Sequence, residues 1–119
     1  MVKQDEMKGA VKLTALIDEL GLSVLNKGAD FETALVGIKD VNRSGLQLVG
    51  FFDYFDERRL QVVGMAETKM LESMTSEQRA ESFARLFSYN IPALVVSRDL
   101  DVYPECLAMA RKHQKTLLH

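Results

Sequence analysis

The strongest constraint on the fold is the order of apolar segments in the second half of the chain. Residues 60–64, 91–96 and 116–118 are short and rich in valine, leucine or isoleucine, which is typical of strands buried on both faces of a sheet. The segments between them have helical apolar spacing and are long enough to cross over the sheet. The sequence therefore predicts an α/β fold, a single domain with a mostly parallel sheet flanked by helices.

Helix boundaries are marked by local signals. Residues 13–20 carry one apolar helical stripe, with Thr14 as the candidate N-cap and Gly21 as the stop. Residues 75–78, TSEQ, have the form of a capping box ahead of an apolar helical pattern. Pro104 suits the first turn of the last helix. We therefore expect helices that begin or end at these residues.

The first half of the chain has weaker patterns. Residues 22–25 and 34–38 are candidate short strands, and residues 40–45 are rich in turn formers. Residues 45–52 are apolar and contain glycines, and their periodicity does not distinguish a helix from a strand.

Composition and charge bound the protein class. The 119 residues include 15 Lys and Arg, 17 Asp and Glu, and one Cys, with a net charge of -2. This balance gives no field to gather nucleic acid or anionic lipid, and a single cysteine fits a reducing compartment. No apolar run approaches the roughly 20 residues of a membrane span, and the N-terminus does not resemble a signal peptide. We expect a cytoplasmic protein without nucleic-acid or membrane partners, with residues 1–9 flexible and residues 10–119 folded.

Sequence motifs for catalysis are missing. The chain has no Gly-Lys dipeptide for a P-loop, no dinucleotide-binding glycine motif and no Gly-x-Ser-x-Gly elbow. His113, His119 and Cys106 are crowded near one end and do not have the spacing of a zinc site. Cys106 lies on an apolar helical stripe, where a cysteine behaves as a small buried hydrophobe. The sequence predicts no catalytic residue, metal site or cofactor in this chain.

Two loop segments are candidates for binding an anion. Asn42 and Arg43 fall in a predicted turn, where a guanidinium and open backbone amides can hold an anion. Arg98 follows the expected carboxyl end of the 91–96 strand, where parallel α/β sheets tend to bind ligands. Exposed arginines are most often simply solvated. For both segments the sequence therefore leaves two alternatives, contact with a ligand and exposure to solvent alone.

Four aromatic side chains are close together in sequence, at Phe51, Phe52, Tyr54 and Phe55. Such a cluster can stack against a ligand or a nucleic-acid base, or it can form core or a subunit interface. No lysine flanks the cluster, so core or interface is favoured.

Four segments of the chain match, in the same order, segments of one known family. Residues 40–55, DVNRSGLQLVGFFDYF, carry the resemblance first. Residues 59–67, RLQVVGMAE, are similar to a strand and following acidic turn of that family, and residues 92–98, PALVVSR, to its second conserved strand. Residues 106–118 are similar to its last helix and strand. Through these segments nearly the whole chain resembles the N-terminal domain of HPr kinase/phosphorylase.

The resemblance implies a cytoplasmic, bifunctional enzyme of the sugar phosphotransferase system and of carbon catabolite repression. Full-length members are ATP- or pyrophosphate-dependent kinases and phosphorylases of a serine in HPr, use a divalent metal such as Mg, and are typically hexamers. Their P-loop belongs to a catalytic domain that follows this region, whereas this sequence ends at His119. Two positions depart from the family: Ser44 replaces a frequent Pro, and Asp99 a usual Gly.

The resemblance also implies a fold similar to the substrate-binding N-terminal domain of the Mur ligases. In those ligases an Asp-Ser-Arg turn helps hold a uridine nucleotide sugar. Asp40, Asn42 and Arg43 stand in a comparable turn, with Asn in place of Ser. With Arg98, they are the candidate ligand-binding or partner-binding residues.

These observations favour a non-catalytic N-terminal domain, with an assembly or regulatory role, of an HPr serine kinase/phosphorylase. Its implied partners are HPr and the family's own catalytic domain, in a homo-oligomer. The alternative is a stand-alone module that senses a nucleotide or phosphorylated metabolite through Arg43 or Arg98. A third hypothesis is a structural domain whose residues 51–55 join subunits.

Overall fold

The computed structural model describes residues 10–37 and 41–119. The predicted flexible segment, residues 1–9, and the candidate ligand residue Asp40 lie outside the described residues, so both stay predictions.

The described elements alternate between short strands and helices. In chain order they are β1 (Val11–Lys12), α1 (Leu13–Leu20), β2 (Val24–Asn26), β3 (Leu35–Val36), β4 (Asn42–Arg43), α2 (Gly45–Leu48), β5 (Gln61–Val63), α3 (Met65–Glu72), α4 (Ser76–Phe87), β6 (Leu94–Val96), α5 (Pro104–Lys112) and β7 (Leu117–Leu118). Within the described ranges, no helix is both long and apolar enough to cross a membrane.

A five-stranded sheet organises the domain. Its strand order is β2-β7-β6-β5-β4, and a separate antiparallel pair is formed by β1 and β3. Strands β4, β5, β6 and β7 are parallel neighbours, whereas β2 is antiparallel to β7. The prediction of a single α/β domain with a mostly parallel sheet is confirmed.

Both faces of the sheet are covered, which explains the apolar strands. Side chains of neighbouring strand residues point to opposite faces, so Leu117 joins one core cluster and Leu118 the other. The first cluster packs the sheet against the later helices through side chains such as Phe83 and Ala110. The second packs the other face against α1, including Leu13. A strand between two covered faces therefore favours apolar residues at most of its positions.

The structure confirms most of the predicted helix signals. Helix α1 ends at Gly21, whose φ of 64° is the left-handed conformation that glycine tolerates best. Thr75 and Gln78 form the predicted capping box at the start of α4, at 2.9 and 3.1 Å. Pro104 occupies the first turn of α5. Thr14 as the N-cap of α1 is wrong: Lys12 holds that position, because the helix begins two residues earlier, without a side-chain cap.

The predicted turn at residues 40–45 is wrong where Asn42–Arg43 form β4. This strand pairs in parallel with β5, and its turn-forming side chains are satisfied by tertiary contacts instead of local ones. The apolar segment that periodicity left open, residues 45–52, begins as the one-turn helix α2.

Candidate functional site

The carboxyl ends of the parallel strands meet at one edge of the sheet. Arg43 ends β4, Gly64 follows β5, and Arg98 lies two residues after β6. Since β2 is antiparallel, Gly21, just before it, lies at the same edge. Arg43 and Arg98 therefore share the edge where such sheets usually bind ligands, but β5 separates their strands.

Arg43 is bound to a carboxylate of the chain itself. Its Nη2 and Nε atoms donate to Glu67 Oε1 at 3.0 and 3.3 Å. The same oxygen accepts from the backbone N–H of Gly64 at 2.7 Å. Glu67 is 7% exposed, whereas the Arg43 side chain is 59% exposed. Glu67 thus supplies internally the anion that sequence reasoning expected from a ligand.

Asn42 belongs to a buried polar network. Its Nδ2 donates to Gln61 Oε1 at 2.7 Å and to Gln47 Oε1 at 2.8 Å. Ser44 Oγ donates to Gln61 Oε1 at 3.1 Å, and Gln47 Nε2 donates to the Phe51 carbonyl at 3.2 Å. Gln61 and Ser44 are fully buried. The network locks β4 and α2 onto β5, because each buried amide has its partners.

Arg98 supports the end of α1. Its Nη2 donates to the carbonyl of Gly21 at 2.9 Å and, more weakly, to that of Leu20 at 3.4 Å. Carbonyls at a helix C-terminus lack intrahelical donors, so the Arg98 guanidinium satisfies them with hydrogen bonds. Its positive charge also interacts favourably with the negative end of the helix dipole. Ligand binding by Asn42, Arg43 and Arg98 stays a prediction, and all three already hold internal contacts.

Sequence reasoning missed Glu67 and Gln61 as partners of these residues. A signal for Glu67 exists in the sequence, since a glycine follows the 60–63 segment and an acid lies three residues further, the N3 position of a helix. Gln61 had no signal beyond being a polar residue inside an apolar strand.

A cavity of about 420 Å³ opens at this edge, between α3 and the loop after β6. Asp99 and Asp101 lie on the loop side, and Lys69 and Thr68 on the helix side. Apolar side chains complete its lining: Met65, Leu100, Val102, Tyr103 and Pro104. The cavity offers charges of both signs beside an apolar floor.

The four predicted aromatic residues divide into two kinds. Phe52 and Phe55 pack with Tyr89: the Phe52 and Tyr89 rings stack with centroids 4.4 Å apart, and Phe55 meets both edge to face. Phe51 is 45% exposed, and Tyr54 is fully exposed. Phe52 and Phe55 therefore anchor the segment, while Phe51 and Tyr54 face outward.

Other apolar residues near the outward pair are exposed as well. Val41 precedes β4, and Leu46 and Val49 lie on and just after α2; all three are between 47% and 60% exposed. We call Val41, Leu46, Val49, Phe51 and Tyr54 the β4–α2 surface. It lies at the edge of the sheet, since β4 is the last strand.

Neither a metal cluster nor a reactive thiol is found in residues 10–37 and 41–119. No group of three or more His, Cys, Asp or Glu there could hold a metal ion. Cys106 is buried, and burial, with a smaller effect of the Glu105 charge, raises the pKa of its thiol.

The fold and its sites define an α/β domain that joins a polar, internally paired sheet edge to an exposed apolar surface. A family model described as HPr Serine kinase N terminus matches residues 11–119, and the chain belongs to this family.

Curated relatives agree with this family. An HPr kinase/phosphorylase of Alkaliphilus metalliredigens is 38% identical over 109 residues, which is 92% of this chain and 35% of the relative. One of Clostridium beijerinckii is 41% identical over 103 residues, or 87% of this chain and 33% of the relative. The chain spans about a third of the length of these relatives.

A solved structure shares the fold. It contains the CBS and DRTGG domains of the regulatory region of a Clostridium perfringens pyrophosphatase, in complex with its activator diadenosine tetraphosphate. The match has a TM-score of 0.62 at 18% identity and covers 98% of this chain and 45% of that one.

Proposed function

We propose that this chain is a non-catalytic assembly domain of a cytoplasmic HPr kinase/phosphorylase. In this proposal, HPr, ATP and Mg are handled by the remaining two thirds of the enzyme, and this domain joins subunits or domains of a homo-oligomer. The observation that carries the proposal is the β4–α2 surface.

The β4–α2 surface is rigid as well as apolar, which supports a docking role. Gln47 lies in α2 between Leu46 and Val49 and is held by Asn42 Nδ2 at 2.8 Å. The Phe51 N–H donates to the Leu46 carbonyl at 2.9 Å, which closes the segment on itself. Exposed apolar side chains on a fixed backbone lose little entropy on association, so their burial converts efficiently into affinity.

The first test is catalytic. The purified chain is incubated with ATP, Mg and HPr, and the Clostridium beijerinckii relative serves as the positive control. We expect phosphoserine on HPr with the relative and none with this chain. Phosphorylation by this chain alone would overturn the non-catalytic role.

The second test addresses assembly. Association of the chain with itself, or with the remaining part of a full-length relative, is followed by sedimentation. The triple variant Leu46→Ser, Val49→Ser, Phe51→Ser should abolish it, and a matched variant at the exposed Leu20 and Leu25 should not. Association that survives the triple variant would remove the β4–α2 surface from the proposal.

The cavity at the sheet edge supports a second candidate function, the sensing of a nucleotide or phosphorylated metabolite. Lys69 offers a cation for phosphate, and the two aspartates offer acceptors for hydroxyl groups. A ligand at 100 times its dissociation constant should stabilise the fold by about 2.7 kcal/mol. A thermal-shift panel that includes diadenosine tetraphosphate tests this, with Lys69→Ala and Arg43→Ala as variants. A panel without any shift rejects the sensing role.

A further inference from the structure

We infer that the cavity at the sheet edge binds a phosphorylated metabolite that also carries an amine. Asp99 and Asp101 hold the ammonium group of this ligand, and Lys69 holds its phosphate. The inference rests on the sensing role, the second candidate function, and names the class of ligand.

The cavity lies in the crevice outside the ends of two neighbouring parallel strands. β5 leads through Gly64 into α3, and β6 leads into the loop of residues 97–103. Helix α3 forms one wall of the cavity, and the loop forms the other. Parallel α/β sheets tend to bind ligands outside the carboxyl ends of their strands, and a volume of about 420 Å³ lies within the range of small-molecule sites.

The two walls of the cavity are held together in the unbound chain. The Tyr103 hydroxyl donates a weak hydrogen bond to the Thr68 carbonyl at 3.5 Å, which joins the loop to α3. Arg79 lies over the Tyr103 ring, 4.7 Å from its centroid. The Leu100 carbonyl lies 2.7 Å from His119 Nε2, which joins the loop to the end of β7. A ligand therefore enters a cavity that is already formed, and little affinity is lost in ordering it.

The lining carries more negative than positive charge. Asp99 and Asp101 are exposed on the loop wall, and within the described part of the chain neither has an ion-pair partner. Lys69, on the helix wall, forms only an exposed pair with Glu72 at 3.5 Å, which contributes little and leaves the ammonium accessible. Arg98 is held at the end of α1 instead of lining the cavity. Two carboxylates on one wall are therefore opposed by one ammonium on the other.

This arrangement selects a ligand with charges of both signs. A ligand with a phosphate alone pairs with Lys69 but is repelled by the two carboxylates. A ligand with an amine alone pairs with the carboxylates and leaves Lys69 unpaired. A ligand with both groups forms charge-assisted hydrogen bonds at each wall, and its ammonium has three donors, enough for both Asp99 and Asp101.

The apolar floor suits a compact carbon skeleton between the two charged groups. Leu100, Val102 and Tyr103 line the cavity and are half-buried. Apolar surroundings strengthen charge pairing, because they keep water from screening it. An amino sugar phosphate has an amine and a phosphate on one small ring, so glucosamine 6-phosphate is the probe.

The test measures dissociation constants by titration calorimetry with sugars that differ at these two groups. Glucosamine 6-phosphate carries both charges, glucose 6-phosphate lacks the amine, N-acetylglucosamine 6-phosphate carries it in an uncharged form, and glucosamine lacks the phosphate. We expect glucosamine 6-phosphate to bind at least about tenfold more tightly than each of the others, the typical effect of one hydrogen bond to a charged group.

Variants assign the two walls. The double variant Asp99→Asn, Asp101→Asn should weaken glucosamine 6-phosphate by about tenfold or more and should not weaken glucose 6-phosphate. Lys69→Gln should weaken glucosamine 6-phosphate and leave glucosamine unchanged. Glu32→Gln, at an exposed carboxylate in the turn before β3, is the matched control and should have no effect. Circular dichroism of each variant checks that the fold is intact.

Some results would overturn the inference and leave the sensing role standing. One is glucose 6-phosphate or N-acetylglucosamine 6-phosphate bound as tightly as glucosamine 6-phosphate, and another is binding of diadenosine tetraphosphate without binding of glucosamine 6-phosphate. Unchanged affinity for glucosamine 6-phosphate in the double variant would also overturn it.

Other results would reject the inference together with the sensing role. These are glucosamine bound as tightly as its phosphate, or no binding of any phosphorylated ligand. The assembly role of the β4–α2 surface does not depend on either result.

Discussion

Arg43 and Glu67 form an ion pair directly over Gly64, across the carboxyl ends of β4 and β5. Arg43 Nη2 lies 3.0 Å from Glu67 Oε1, and that oxygen lies 2.7 Å from the Gly64 nitrogen. A Cβ atom at Gly64 would come within 2.6 Å of Arg43 Nη2. The absence of a side chain at residue 64 thus lets the edge strand and the start of α3 share one carboxylate.

The two partners of this ion pair should contribute unequally to stability. Glu67→Ala leaves the buried Gly64 N–H without its acceptor and should lower the free energy of unfolding by about 2 kcal/mol. Arg43 is largely exposed, so Arg43→Ala should cost at most about 1 kcal/mol. Urea unfolding measures both. Glu72→Ala, in an exposed pair with Lys69, is the control and should stay within about 0.5 kcal/mol. Equal losses for Glu67→Ala and Glu72→Ala would contradict this account.

Gly64→Ala should destabilise the fold chiefly by displacing Arg43. The added Cβ forces the exposed guanidinium away from Glu67, and we expect a loss of at most about 1 kcal/mol, as for removal of the Arg43 side chain. In an Arg43→Ala background the obstacle is gone, so the same substitution should cost less. The double-mutant cycle from urea unfolding then shows a coupling of about 0.5 kcal/mol or more. Additive losses would mean that Arg43 is not what the Cβ meets.

Local sequence signals made the main helices and strands predictable. The pairing of the site residues with one another was not predictable. The capping box at 75–78 and the apolar 91–96 segment depend on neighbours in sequence, and both were predicted. Asn42 and Arg43 have turn propensity, but their partners Gln61 and Glu67 are 19 and 24 residues away. Tertiary contacts at that separation override local propensity. The sequence signal at Glu67 indicates a helix start, but it does not indicate that Arg43 is the partner of this carboxylate.

The aromatic cluster shows the same limit in another form. In the sequence, Phe51, Phe52, Tyr54 and Phe55 form one cluster. A role in the core or in an interface was favoured for this cluster over stacking against a ligand. The structure assigns core packing to Phe52 and Phe55, because Tyr89 approaches them from the end of α4. Phe51 and Tyr54 are left facing outward. Which residues of an irregular segment point inward depends on its backbone angles, and the left-handed Tyr54 could not be read from its residue type.

Arg79 connects three helices. Its Nη1 donates to the carbonyls of Leu71 at 3.1 Å and Met74 at 2.5 Å, and its Nε donates to Glu105 at 3.1 Å. The guanidinium also lies over the Tyr103 ring, 4.7 Å from its centroid. Both charged side chains are mostly buried. Arg79→Met should therefore lower the free energy of unfolding by about 3–5 kcal/mol, the cost of leaving a buried charge without its partner.

The Arg79 variant should also change the pH dependence of stability. Burial raises the pKa of Glu105, but hydrogen bonds from its own backbone, Ser76 and Arg79, with the Arg79 charge, outweigh burial and leave the pKa lowered. A carboxyl with a lowered folded-state pKa stabilises above its ordinary value of 4.5 and loses that contribution as the pH falls through the folded value. The wild type should lose stability as the pH falls from 4.5 through the lowered folded value, and Arg79→Met should lose less over that range. Profiles of stability against pH that run parallel for the wild type and Arg79→Met would contradict this. Arg85→Met is the control: Arg85 belongs to an exposed ion pair, so its profile should follow that of the wild type.

Cys106 should be inert in the folded chain. Burial raises the pKa of its thiol, so the reactive thiolate is scarce at neutral pH and reagents cannot reach it. A thiol reagent should label the protein only after urea is added, with the same midpoint as the loss of circular dichroism. Rapid labelling without denaturant would contradict the burial of this residue in the first core cluster.

Tyr54→Gly should stabilise the monomer. The tyrosine is fully exposed and loses no packing, while glycine adopts a φ of 61° without the steric cost of a side chain. That relief is offset in part by the greater freedom of glycine in the unfolded chain, so we expect a gain of about 0.5–1 kcal/mol. Urea unfolding of dilute protein, where dimers do not contribute, measures it. Gly50→Ala, at a φ of 96°, is the opposite control and should destabilise. A Tyr54→Gly monomer less stable than the wild type would contradict this account of strain at residue 54.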